Sequence, residues 1–143
     1  MRYVHGGQPY SEAEIDAWFV RHARNLEEQG ACMGAMIEKA SGKLVGVAGT
    51  QLLGTTGEFE IGWWLVREVW GRGYATEAGR AAMNYVFDVL GRPLVVAIID
   101  PGNEASKRVV ERLGMRYESR VTGAQIGHRV PEIVVDYFVK ARE

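Results

Sequence analysis

The chain has 143 residues, of which 47% are hydrophobic and 24% charged, with a formal net charge of -1. That length holds one domain with a real core, and the composition excludes a disordered or fibrous chain. The near-zero charge excludes a general field for nucleic acid or an anionic membrane, so neither is expected as a partner and any anion must be held by a local site.

In chain order, Ser11 and Glu14 stand at capping-box spacing, and Ile15, Trp18, Phe19, His22 and Leu26 then recur at helical intervals. This predicts a helix from about residue 11 to 28, ended near Gly30. Residues 32–38 are apolar and short. They lead into a turn at Ser41, Gly42 and Lys43 and a second run over 44–50, which reads as a hairpin. Over 58–66, Phe59, Ile61, Trp63 and Leu65 share one face of a predicted strand. A glycine-bearing loop follows at 71–75, then a predicted helix over 76–90 with Ala78, Ala82, Tyr85, Val86 and Val89 on one stripe and Gly91 at its end. Residues 94–99 form an unbroken branched apolar run, the pattern of a strand covered on both faces. Asn103 caps a predicted helix over 104–113 that Gly114 closes, and residues 133–139 are the last clear strand. The alternation of helices and strands implies an α+β layered fold, with helices packed on a mixed sheet.

Cys32 is the single cysteine, so no intrachain disulfide and no cysteine-pair metal site is available. His5, His22 and His128 are scattered and suggest no metal site. No apolar run has the length of a signal peptide or a membrane span, and the expected location is cytoplasmic.

Two clusters carry chemistry. The first is Trp70-Gly71-Arg72-Gly73-Tyr74-Ala75-Thr76-Glu77-Ala78, between a predicted strand and a predicted helix. A helix start presents unpartnered N–H groups with partial positive charge, glycines let the backbone approach a ligand, and Arg72 adds a cation. A phosphate or pyrophosphate is the natural guest, the alternative being a glycine-rich turn without a ligand. No Gly-Lys-Ser/Thr triplet follows, which excludes the ATP-binding P-loop. The third glycine of the dinucleotide fingerprint is also missing. The second cluster, Asp100-Pro101-Gly102-Asn103-Glu104-Ala105-Ser106, places Asn103 and Ser106 at a helix head, where they either bond an amide-bearing ligand or simply cap the helix.

Together these segments resemble the acetyl-coenzyme A core of the GNAT superfamily of N-acetyltransferases, in particular the branch with the ribosomal-protein N-terminal acetyltransferases. The motifs are Ile61-Gly62-Trp63-Trp64-Leu65, the run from Trp70 to Ala78, Asn103 to Ser106, and Leu113-Gly114-Met115. The resemblance implies a single acyl-CoA N-acyltransferase domain over 1–143 with a mostly antiparallel central sheet. It implies acetyl-CoA as co-substrate, no metal, and a small-molecule or peptide amine as acceptor, attacked directly in a ternary complex. Backbone groups of Leu65 and Val66 would pair with the pantetheine arm. N–H groups of Gly71, Arg72, Gly73, Tyr74, Ala75 and Thr76 would hold the pyrophosphate. Asn103 and Ser106 would meet the pantetheine near its sulfur, and Lys107 or Arg108 the ribose phosphate.

For catalysis, the Leu65 N–H would stabilise the oxyanion and Glu60 would be the base, with Glu58 as an alternative two residues away. Glu60 reads otherwise as a solvated strand glutamate. The family's proton-donating tyrosine is replaced by Val110, a departure that a thiol of pKa about 8.5 tolerates. That departure also leaves room for a coenzyme A-binding module with little catalysis. Tyr10, Trp18, Trp63 and Trp64 stand either in an acceptor pocket or in the core. Relatives carry a strand and a helix before the segment matching residues 1–4. The resemblance therefore implies that these are absent, leaving an edge that a homodimer or strand exchange would cover.

Overall fold

The computed structural model describes residues 7–143. His5 and residues 1–4 lie outside them.

Helix α1 (Glu12–Gln29) starts as the capping box requires: Ser11 Oγ accepts from the Glu14 N–H at 3.2 Å, and the Ser11 N–H donates to the Glu14 carboxylate at 2.7 Å. Gly30 ends it at φ 74°, a left-handed conformation natural to glycine. Only part of its apolar stripe is covered. Trp18 and His22 turn inward, whereas Ile15, Phe19, Val20 and Leu26 remain exposed.

Strands β1 (Met33–Ile37), β2 (Leu44–Leu52) and β3 (Phe59–Leu65) form an antiparallel meander with Met33 opposite Gly49 and Gly49 opposite Gly62. A short 3₁₀ turn (Arg67–Val69) leads to α2 (Tyr74–Asp88), then β4 (Leu94–Ile99), α3 (Glu104–Arg112), β5 (Arg116–Thr122), the single-turn α4 (Gly123–Ile126) and β6 (Val134–Ala141). The six strands run in the order β1-β2-β3-β4-β6-β5, and every neighbouring pair is antiparallel except β3–β4. This is the mixed, mostly antiparallel sheet that the resemblance implies.

The sheet divides two cores. On one face Phe59, Ile61, Val95, Ala97 and Phe138 pack against Val86 and Met83 of α2 and Val110 of α3. On the other, Leu53, Val96, Val135 and Val139 pack beneath Ile126 of α4. Alternation along β3 therefore sends Phe59, Ile61 and Trp63 toward α2 and α3, and Glu60, Gly62 and Trp64 the opposite way.

Two features depart from the sequence reading. Helix α2 begins at Tyr74 rather than at 76, and β5 with α4 was not anticipated. β5 exposes most of its side chains as an edge strand, so it carries no apolar alternation. Pairing with β6, reinforced by Arg120 Nε at 2.8 Å from Asp136, holds it instead.

Candidate active site

The site grows from the one parallel contact in the sheet. β3 and β4 pair only at Phe59–Val95 and Glu60–Val96, and beyond Glu60 the strands part. Val66 N–H donates to Val45 C=O at 2.9 Å, so by the alternation of an antiparallel ladder the backbone of Trp63 and Leu65 faces the opened gap.

The expected pairing of both Leu65 and Val66 with a ligand is narrowed by this geometry. Val66 is committed through both groups, its C=O accepting from Val69 N–H at 3.3 Å. One lone pair of Leu65 C=O is taken by the Trp70 indole at 3.0 Å. The Leu65 N–H remains, aimed into the gap.

At the mouth of the gap lies the glycine loop. Gly71 and Gly73 sit at φ 80° and 81°, and a Cβ on either would meet nothing within 4 Å, so the space before them is open. Gly73 is the N-cap of α2 and offers no side chain. Among the described residues, no acceptor takes the N–H groups of Gly71, Arg72, Gly73, Tyr74, Ala75 or Thr76. Six backbone donors thus lie along the loop and the positive helix end, and the Thr76 hydroxyl beside them is buried with no partner. A groove of about 760 Å³ continues from Gly71, Gly73 and Thr76 along α2 to Arg80 and Arg112. Sequence reasoning missed those two arginines, although Arg80 follows Thr76 by one helical turn.

Arg72 does not point alone at this loop. It lies 3.2 Å from Glu38, whose carboxylate also accepts from Tyr74 Oη at 2.7 Å and from Ser41 Oγ at 2.7 Å. The Tyr74 hydrogen bond, then that of Ser41, holds the Glu38 carboxyl below its ordinary range. The Glu38 side chain, just past β1, bonds locally only to Ser41. The partners that tie it to this loop, Arg72 and Tyr74, lie more than thirty residues away, so no local signal in the sequence marks it.

The second cluster serves the opposite wall. Asn103 Oδ1 accepts from the Ser106 N–H at 3.1 Å and so caps α3, and Ser106 Oγ accepts from the Trp63 indole at 3.3 Å. Lys107 turns inward to Asp136 at 3.0 Å and to Pro101 C=O at 2.6 Å, leaving exposed Arg108 as the available cation of the two. Val110 is fully buried among the α2–α3 core residues, so no proton donor stands at that position.

On the opposite face, Glu60 Oε1 accepts from Gln51 Nε2 at 3.0 Å. Burial pushes its carboxyl up to about 7, against the hydrogen bond from Gln51 and the charge of Arg129, which pull it down. A carboxylate in that range exchanges protons near neutral pH. Glu58 shares this face, with one oxygen buried and unpartnered. Trp64 lies in the same region, its ring 6.4 Å from Tyr10 and 6.5 Å from Trp18, which is 4.0 Å from His22. Of the four aromatics considered, Tyr10, Trp18 and Trp64 gather here, and Trp63 lies across the sheet. His22 is held neutral, its pKa pushed down to about 4 by burial and then by Arg21 and Arg129, and its Nδ1 accepts from Met33 N–H at 3.2 Å.

The sequence profile of the acetyltransferase (GNAT) domain matches residues 1–116. The chain belongs to the GNAT family. The GNAT fold also appears in its structural likenesses. An acetyltransferase from Agrobacterium tumefaciens superposes with a TM-score of 0.78 at 26% identity, over 96% of this chain and 76% of that one. The ribosomal-protein-S5-alanine acetyltransferase of Vibrio fischeri gives a TM-score of 0.74 at 20% identity, over 94% and 77%. In sequence, the GNAT domain is 36% identical to the uncharacterized protein YkkB of Bacillus subtilis over 106 residues, 73% of this chain and 62% of YkkB. The match therefore spans about three fifths of YkkB's length. Among the described residues, no three His, Cys, Asp or Glu side chains are grouped to hold a metal ion, and no helix is long and apolar enough to cross a membrane.

Proposed function

We propose that this GNAT domain is an acetyl-CoA-dependent N-acetyltransferase that moves the acetyl group to a primary amine in a ternary complex. The observation that carries the reading is the run of six unpartnered N–H groups at the head of α2, with the buried Thr76 hydroxyl beside them. Donors in that number suit a pyrophosphate. The opened edge of β3 suits an extended amide-bearing arm, with the Leu65 N–H left to donate to it or to the oxyanion.

Glu60 is the base in this reading. It accepts a proton from the ammonium of the acceptor, and the freed nitrogen attacks the thioester carbonyl. The new C–N bond forms, the C–S bond breaks, the electron pair leaves with sulfur as thiolate, and the second proton of the attacking nitrogen passes to solvent. No side chain need protonate that thiolate, since a thiol of pKa about 8.5 is a tolerable leaving group near neutrality. Buried Val110 favours one rival, a coenzyme A-binding module without turnover.

Calorimetric titration with acetyl-CoA tests the cofactor site, beside Arg72→Glu, which sets an acid next to Glu38 and into the loop. Saturable binding, weakened tenfold or more by the variant, is expected. No binding by folded wild type overturns the reading. Binding without release of free thiol for any amine selects the rival.

A further inference from the structure

One carboxylate joins the β1–β2 turn to the glycine loop. Within the turn, Glu38 N–H donates to Lys43 C=O at 2.9 Å and Gly42 N–H to Glu38 C=O at 2.8 Å. Ser41 Oγ donates to Glu38 Oε1 at 2.7 Å and accepts from Lys43 N–H at 3.3 Å. Backbone and side chain of Glu38 are thus both fixed from within the turn, and Oε2 is left to meet the loop. It accepts there from Tyr74 Oη at 2.7 Å and from Arg72 Nη1 at 3.2 Å. With 15% of its side chain exposed, against 55% for Arg72, Glu38 is the inner partner of the group.

Arg72 and Tyr74 flank Gly73, the N-cap of α2, which has no side chain to fix the helix start. Gly71 also sits at positive φ, so the loop has little of its own to hold it in one conformation. A loop free to reorient loses that freedom on binding, and the loss weakens the complex. A grip on either side of Gly73, from a turn that is itself fixed, removes part of the loss beforehand. Charge alone acts the other way. The Glu38 carboxylate repels an anionic guest and neutralises Arg72, but Arg72 is half exposed, so water and salt screen that repulsion. The opposite signs make the two effects separable.

We infer that Glu38 is a positioning residue of the anion site, holding Arg72 and Tyr74 so that the backbone N–H groups of 71–76 are preset for a phosphate-bearing ligand. The inference rests on the proposed reading of that loop as the pyrophosphate cradle, and it names what keeps the cradle in shape.

Calorimetric titrations with acetyl-CoA and with inorganic pyrophosphate compare the wild type with Glu38→Ala and Glu38→Gln. Glutamine retains an oxygen for Tyr74 and an amide for Ser41 but carries no charge. Glu38→Ala should weaken acetyl-CoA affinity about tenfold, whereas Glu38→Gln should keep it within about threefold, with the same ranking for pyrophosphate. Tyr74→Phe, which removes only the hydroxyl, should weaken binding in the wild type and add nothing to Glu38→Ala. Unchanged or tighter binding by Glu38→Ala overturns the inference, as does a Tyr74→Phe effect that persists in full without Glu38. A second readout needs no ligand. Glu77 N–H donates to Gly73 C=O at 3.0 Å in the first turn of α2, and Lys107 N–H to Asn103 C=O at 3.1 Å in that of α3. Hydrogen exchange at Glu77 should quicken about fivefold or more in Glu38→Ala, with Lys107 as in wild type. That outcome supports the grip on the loop even if acetyl-CoA proves not to bind. Equal exchange at Glu77 in the two proteins overturns it, whatever becomes of the acetyltransferase reading.

Discussion

On the α2–α3 face of the sheet the donors offered to a ligand are backbone N–H groups and the capping atoms of helix heads, all within two short stretches of chain. On the opposite face they are side chains delivered from α1, β2 and β3, and each depends on tertiary packing for its place. The first kind of site is set by local geometry, braced by Glu38, and its backbone donors tolerate side-chain exchange. The second is set by long-range contacts, and there single residues decide protonation and charge. A family can therefore keep one face while varying the other, so the acceptor is the less constrained of the two partners.

The contrast breaks most sharply at Glu60. Glu60→Gln keeps a partner for Gln51 but removes the proposed base, and general-base contributions are roughly 10²- to 10⁴-fold. The expected result is that fall in kcat/KM for the amine, with acetyl-CoA affinity unchanged in calorimetry. Wild-type rates should also rise with pH through a midpoint near 7, where the Glu60 carboxyl gives up its proton, and the variant should lose that limb. A variant of near wild-type rate, or one with impaired acetyl-CoA binding, would place Glu60 in the architecture rather than the chemistry.

A smaller effect concerns stability, because the same face buries two groups that titrate in opposite senses. Burial holds His22 at about 4 in the folded state against an ordinary 6.5, so its contribution is full above 6.5 and is lost as pH falls toward 4. Glu60, raised from 4.5 to about 7, keeps its proton longer when folded, so stability falls as pH rises through that interval. Each is worth about 3 kcal/mol at 1.36 kcal/mol per pKa unit, with His128, also pushed down by burial, adding in the sense of His22. Urea unfolding of wild type between pH 4.5 and 6.5 should therefore show a stability that rises only shallowly with pH, Glu60 offsetting most of the histidine contribution. Glu60→Gln should reveal stability that rises with pH, and His22→Gln stability that falls. A wild-type slope that Glu60→Gln leaves unchanged would show that the carboxyl is not the compensating group.

How much was legible follows the same division. The glycine loop, the Asn103 cap, the Ser11 capping box and the branched run of β4 are local patterns with local causes, and each falls where its spacing places it. Glu60 was legible as a position on a strand, but its burial was not, since that depends on Gln51 and on what α1 and Arg129 bring across. The polar edge strand β5 was hidden because exposure removes the alternation that marks a strand. Glu38, Arg129 and the pairing of Lys107 with Asp136 were hidden because charged surface residues look alike until the fold chooses their neighbours.

The smallest effect tests whether the two faces respond separately. α1 carries Trp18 to the acceptor side. It docks on the sheet through few polar links, among them His22 with Met33 N–H and Gln29 with Leu52 N–H at 3.2 Å. Ser11→Ala removes the side-chain half of its capping box, a loss of about 1 kcal/mol that frays the first turn and loosens the placement of Trp18. The helix touches neither the glycine loop nor the head of α3 through any hydrogen bond found among the described residues. The expected outcome is a Tm lower by roughly 3 °C and a severalfold higher KM for the amine, with acetyl-CoA affinity held within twofold in calorimetry. An equal loss of acetyl-CoA affinity would mean that the sheet transmits the change, through β2 and β3, and that the two faces are one energetic unit.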